Sequence, residues 1–185
     1  VFKTIYRLSN KELKKISKQV NPLGMIALFN MPRPKKFIFK SKNVLILDNI
    51  SDPGNMGTII RTADWFGFNH LFLSENCVEA YNSKVVAASM GSVFNVSINP
   101  EAKLKALIKD LKEEGYKIVV TDLMGDESNI DKKDKIALVI GNEAKGVDRK
   151  LISMADKRFK IMKSGKAESL NAAVAAGIVM NKIKF

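Results

Sequence analysis

Six short aliphatic runs recur along this chain, and each stops at a polar or glycine-containing segment. They are NVLILD (43–48), HLFLSE (70–75), VFNVSI (93–98), YKIVVTDL (116–123), KIALVIGNE (135–143) and KRFKIM (157–162). Helical patterns separate most of them: residues 56–66, a stretch around 82–90, and a segment capped by Asn99-Pro100-Glu101. That third segment puts Leu104, Leu107, Ile108 and Leu111 on one face and ends at Gly115. Six strands alternating with helices predict an α/β fold, a mostly parallel six-stranded sheet with helices on both faces. In such sheets ligands bind at the carboxyl ends of strands. The polar segments sit there: Asp48 to Asn55, Thr121-Asp122, Gly141-Asn142-Glu143 and Lys163 to Asn171.

The 185 residues predict one domain plus a fragment. Residues 1–40 read as strand, helix, strand. Ser9 and Glu12 fit a capping box, GMIALFNM (24–31) reads as a buried strand, and PRPKK (32–36) as a linker. This zone is too small for a core of its own, and the chain starts at Val1 rather than Met, so a preceding portion is expected to be missing.

Charge narrows the partners. Lys and Arg total 31 against 19 Asp and Glu, a net +12, which points to a polyanion. Clusters such as Lys35-Lys36, Lys40-Lys42 and Lys163-Lys166 are candidates for phosphate contact. Cys77 and His70 are the only residues of their kinds, which disfavours a zinc site, a Ser-His-Asp triad or a Cys-His pair. No metal is expected. The lone cysteine and the lack of an 18-residue apolar run or a signal segment predict a cytoplasmic protein off the membrane.

Three motifs carry chemistry. In LDNISDPGNMGTIIRTADWFG (47–67), Pro53-Gly54 turns the chain, Asn55 is placed to cap a helix, Arg61 follows six residues later, and Gly67 ends the helix. In LVIGNEAKGV (138–147), Gly141 allows close backbone approach or a positive φ, and Glu143 is an acceptor for a turn or a ligand. In IMKSGKAESLNAAVAAGIVM (161–180), Ser169 and Asn171 stand at the mouth of a helix stripped of large side chains. Each motif alone also reads as ordinary turn, cap or packing chemistry. The G-x-G-x-x-G and P-loop fingerprints are missing, which disfavours a nicotinamide enzyme or an NTPase.

Taken together and in this order, the three motifs resemble motifs one, two and three of the SpoU/TrmH-type RNA 2′-O-ribose methyltransferases. AASMGSVFNV (87–96) resembles the family's segment between the first two. The resemblance covers roughly residues 42–183. It implies a knotted S-adenosylmethionine-dependent methyltransferase domain over 41–185, with a C-terminal trefoil knot. Residues 1–40 then resemble the end of an L30e-like substrate-binding domain plus linker. By position, Gly141, Ile161 and Leu170, with Thr121, are implied to bind the cofactor. Arg61, Asn55, Glu143, Ser169 and Asn171 are implied to serve catalysis. The family further implies a homodimer whose last helix lies near the interface. RNA is the implied partner, ribosomal rather than transfer RNA by analogy with the L30e-like remnant. A non-catalytic RNA-binding member, a transfer RNA substrate and methylation of a base nitrogen are the competing readings.

Overall fold

A computed structural model gives the protein's structure for all residues except 1–3, 18–21, 23, 35, 36, 40, 128, 129, 132 and 185, and excepting the side chain of residue 184. It divides into two compact units, residues 1–32 and 33–185.

In the second unit the aliphatic runs become β1 (Asn43–Leu47), β2 (His70–Leu73), β3 (Ser97–Asn99), β4 (Tyr116–Asp126), β5 (Lys135–Ile140) and β6 (Lys157–Phe159). They form one sheet in the order β3-β2-β1-β5-β4-β6, with every pairing parallel. Side chains alternate across it, as strand geometry requires. Leu45, Leu47, Leu71, Leu73, Leu138 and Ile140 enter one core layer; Val44, Ile46, Phe72, Ala137 and Val139 enter the other. The first layer is closed by α2 (Pro53–Phe66), α3 (Ser83–Ala88) and α6 (Ala172–Lys184), the second by α4 (Leu104–Glu113) and α5 (Arg149–Ile152). The mostly parallel, doubly covered sheet expected from the sequence is the fold observed.

Local chemistry moved several boundaries. Asp52, not Asn55, caps α2: its carboxylate accepts the Asn55 N–H at 2.7 Å, Pro53 fills the first turn, and Asn55 is left inside the helix with its side chain free for other work. Gly67 ends α2 in the left-handed region at φ 75, as expected. Asn99-Pro100-Glu101 does not start α4. Glu101 is left-handed and the Ala102 N–H is held by the Leu73 carbonyl, so the helix begins only at Leu104, without a side-chain cap. VFNVSI yields only Ser97 and Ile98 of the three-residue β3. Gly91 turns the chain at φ 94, residues Ser92–Phe94 form a 3-10 helix, and Asn95 is tied to Asp64 of α2 at 2.9 Å. The last helix starts at Ala172 rather than near Ser169, because Asn171 is its cap: its Oδ1 accepts the N–H groups of Ala173 and Val174.

One irregularity bears on the C-terminal topology. Phe159 of β6 is paired with both Thr121 and Asp126 of β4, so the intervening residues leave the ladder. Gly125 there lies so close to the Arg158 carbonyl that a Cβ would overlap it.

Among its described residues the first unit, taken by itself, holds one helix, α1 (Asn10–Ile16), with the expected capping box: Ser9 N–H donates to the Glu12 carboxylate at 2.8 Å and Glu12 N–H to the Ser9 hydroxyl at 3.3 Å. The strand expected over 24–31 is absent. That run is irregular and exposed, with Leu28 99% accessible. A strand needs a neighbouring edge, and the described residues of this unit supply none. The expected strand before α1 is likewise irregular over residues 4–8. Lys35, Lys36 and Lys40 lie outside the described residues.

Candidate active site

The strand order reverses at β1. From there the chain moves outward to β2 and β3, then returns to fill the other side with β4, β5 and β6. A crevice at the carboxyl ends of β1 and β5 follows from that reversal. The polar loops after these two strands meet there.

The loop after β5 is built tightly. A Cβ on Gly141 would overlap the backbone of Gly146 and Val147, so only glycine fits. Gly146, at φ 66, returns its N–H to the Asn142 carbonyl at 2.9 Å. Asn142 Oδ1 also accepts the N–H of Ala144 at 2.9 Å and of Lys145 at 3.2 Å. Glu143 is thereby held half-buried at the turn.

Its carboxylate joins the other two motifs. The Asn55 Nδ2 donates to Glu143 Oε1, and Asn171 Nδ2 donates to Asn55 Oδ1 at 2.8 Å. Asn171 meanwhile caps α6. The relay Glu143–Asn55–Asn171 therefore links residues 88 and 116 positions apart in sequence. Each amide uses both ends, so its orientation is fixed by its partners. The Glu143 carboxylate also lies by the first turn of α2, where the helix dipole favours negative charge.

The remaining expected residues lie around this relay without joining it. Thr121 ends the first part of β4, half-buried, its hydroxyl donating to the Val139 carbonyl at 3.3 Å. Ile161 is half-buried in the loop after β6, and Ser169 and Leu170 are exposed just before α6. Arg61 is exposed on α2. Six residues place it about 120° around the helix from Asn55 and roughly 9 Å along it. Among the described residues no ion pair engages it. Thr58 and Trp65 share its face, Trp65 being 85% exposed.

Sequence reasoning missed the underpinning. Asp48 is buried behind the relay and accepts the Asp148 N–H at 2.8 Å and the Asn49 amide at 2.7 Å. Burial pushes its carboxyl pKa up, against the Asp148 hydrogen bond that lowers it. Cys77 lies beneath, its thiol donating to the Leu47 carbonyl at 3.4 Å and its pKa likewise raised by burial. The available signal was Asp48 closing an aliphatic run that has no other charge.

The fold and the relay define an α/β protein whose candidate site is assembled from strand-end loops across the switch point. The chain belongs to the SpoU rRNA methylase family, whose model matches residues 42–181. It is 33% identical over 181 residues to the 23S rRNA (guanosine(2553)-2′-O)-methyltransferase RlmP of Bacillus subtilis, covering 97% of this chain and 72% of that one. Among solved structures, a TrmH-family protein of Porphyromonas gingivalis superposes with a TM-score of 0.84 at 31% identity, over 93% of this chain and 70% of that one. An AdoMet-bound rRNA methyltransferase of Sinorhizobium meliloti superposes with a TM-score of 0.72 at 34% identity, over 82% of this chain and 57% of that one. Among the described residues no helix is long and apolar enough to cross a membrane.

Proposed function

We propose that this chain transfers the methyl group of S-adenosylmethionine to a ribose 2′-hydroxyl of ribosomal RNA, in the cytoplasm. The observation that carries the reading is the Glu143–Asn55–Asn171 relay, in which one residue from each of the three motifs meets the others. A degenerate, non-catalytic member would have no use for that convergence. The ribosomal substrate rests on the 2′-O-methyltransferase of B. subtilis and its matched length.

The loops suit the cofactor. An adenosine needs amide donors, carbonyl acceptors and an apolar slot. The backbone around Gly141, the half-buried Ile161, the exposed Leu170 and Thr121 offer these at neighbouring strand ends. Bound S-adenosylmethionine would supply a methyl already activated by its sulfonium and would leave as the neutral thioether, while the ribose hydroxyl would give up its proton to solvent. The protein's task is alignment and help with that proton. The relay fixes the amide of Asn55 and the mouth of α6. Ser169, exposed beside it, is suited to meet the ribose. Arg61 is a poor base, because a guanidinium stays protonated. Its free fork is suited to a substrate phosphate, where it lowers the hydroxyl pKa electrostatically.

Arg61 faces away from Asn55 within one chain, which favours a site completed by a second copy. α6 packs on α2 inside the chain, with Gly177 opposite Thr62, and this accounts for the buried Ala172, Ala173 and Ala176. The other face of α6 exposes Val174 and Ile178, 51% and 42% accessible. Trp65 on α2 is exposed as well, and exposed apolar side chains of this kind are suited to a homodimer contact. Sedimentation should give about twice the 20.6 kDa chain mass. A C-terminal trefoil knot belongs to the same reading. The same reading assigns residues 1–40 to an L30e-like substrate-binding domain plus linker.

Transfer of labelled methyl to ribosomal RNA, followed by nucleoside analysis, tests the reading. A 2′-O-methyl nucleoside supports it; a base-methylated product, or modification of transfer RNA alone, overturns it. RNA affinity should also fall steeply with salt, given the net +12 and the exposed Lys163 and Lys166.

A further inference from the structure

Two polar residues at the end of β1 stand outside the relay, yet both grip the loop that carries it. Asp48 is only 3% exposed. Its Oδ2 accepts the Asp148 N–H at 2.8 Å, and its Oδ1 accepts the Asn49 Nδ2 at 2.7 Å. Asn49 is held in the left-handed region at φ 58, its N–H donating to the Ser74 hydroxyl at 2.9 Å. That conformation presents its carbonyl to Asn142, whose Nδ2 donates at 3.1 Å. One dipeptide therefore holds both ends of the loop, at positions 142 and 148. Glu143 is the residue next to the first hold.

A buried carboxylate is a costly way to fasten a loop, and a left-handed asparagine adds backbone strain. Such costs persist where geometry matters more than stability. We propose that Asp48 and Asn49 are positioning residues that clamp the loop 141–148 and, through Glu143, set the Asn55 and Asn171 amides for methyl transfer. The clamp itself is independent of the function proposed above; only its kinetic consequence rests on that reading.

Two variants separate the roles. Asp48→Asn keeps the size but replaces one acceptor by a donor, so it cannot serve both Asn49 and Asp148 as before. Asn49→Gly suits the left-handed backbone and removes only the side-chain bond. Hydrogen exchange should show faster amides at Ala144, Lys145, Gly146 and Asp148 in Asp48→Asn, and a smaller rise in Asn49→Gly, which keeps its backbone carbonyl for Asn142 and leaves Asp48 on Asp148, with β1 and β5 still protected in both. Turnover at saturating S-adenosylmethionine should fall roughly tenfold to a hundredfold in Asp48→Asn, the scale of a small misplacement, and less in Asn49→Gly. Combined with Glu143→Gln, either change should add almost no further loss, because the clamp acts through that carboxylate. Unchanged exchange in the loop overturns the clamp, and losses that multiply in the double variants overturn its action through Glu143. Should the unaltered chain methylate no RNA, the proposed function fails, and the exchange measurement alone decides the clamp.

Discussion

The two ends of the sheet are built from the same six strands and finished in opposite ways. At the amino end the Phe37 ring meets Phe39, His70 and Phe72 edge-on, with centroids 4.8, 5.0 and 5.2 Å away. The Tyr116 hydroxyl donates to the Ser41 carbonyl, and Lys135 sits 5.3 Å over the Tyr116 ring while donating to the Phe39 carbonyl at 3.1 Å. Aromatic packing closes this end. At the carboxyl end, Asp48, Asn49, Asn142, Glu143, Asn55 and Asn171 form chained hydrogen bonds, and Arg61, Ser169 and Leu170 are left facing outward. One end spends its side chains on itself. The other uses buried polar groups to hold exposed ones in place, which is what a site requires.

If that division is right, damage at the two ends should separate cleanly. The largest effect is expected from Leu170→Arg. The side chain is exposed, so folding should survive, while a cation in the proposed apolar slot should abolish S-adenosylmethionine binding in calorimetry. Undiminished affinity would remove Leu170 from the site. Next comes Arg61→Ala, which touches no described ion pair and should leave thermal stability and cofactor affinity nearly unchanged. Single-turnover methyl transfer should nonetheless drop at least ~10²-fold, the lower end for losing a positioned electrostatic group. Arg61→Lys should also be impaired, because the planar fork is lost.

The central strands were legible because the runs of β1, β2 and β5 are buried on both faces, a condition that composition and length report directly. The caps were less legible. Asn55 looked like the cap of α2, but Asp52 does that work, and what freed Asn55 to join the relay was a competition between two good caps. The left-handed Glu101 and Met90 and the short reach of β3 depend on contacts with distant elements, which no local pattern carries. GMIALFNM had a strand's composition without a partner edge. At the site, Asn55, Glu143 and Asn171 were recoverable as motifs, whereas Asp48 and Asn49 were not, since burial of a carboxylate is a property of the assembled sheet.

The opposite lesion sharpens the comparison. Phe37→Ala removes the hub of the aromatic end. Phe37 is half-buried, so about 2 kcal/mol should be lost, roughly half the usual penalty for a fully buried phenylalanine. Denaturant unfolding should show the loss, while turnover per folded molecule stays unchanged. A fall in turnover would mean that the amino end communicates with the site.

The smallest effect sets two aspartates against each other. Asp156, at the amino end of β6, is pushed up by burial, but the Ile118 N–H at 2.8 Å and the Lys112 ammonium at 2.8 Å outweigh that and lower its pKa. Its contribution is therefore present above the ordinary carboxylate pKa and is lost as pH falls through the lowered folded value. Asp48, at the carboxyl end of β1, is raised chiefly by burial. Protonation favours its folded state, so its contribution is full below the ordinary pKa and is lost as pH rises through the raised value. Stability measured from acid to neutral pH should respond in opposite senses to the two substitutions. Asp156→Asn should weaken the fold at neutral pH and match the unaltered chain in strong acid. Asp48→Asn should improve relative to the unaltered chain as pH rises. The Asp156 pair is about a third exposed, so solvent screening keeps its part below about 1 kcal/mol. Parallel rather than opposite pH trends would show that Asp48 is stabilised in its ionised form, and the contrast between a self-satisfied end and a strained one would fail at its buried carboxylate.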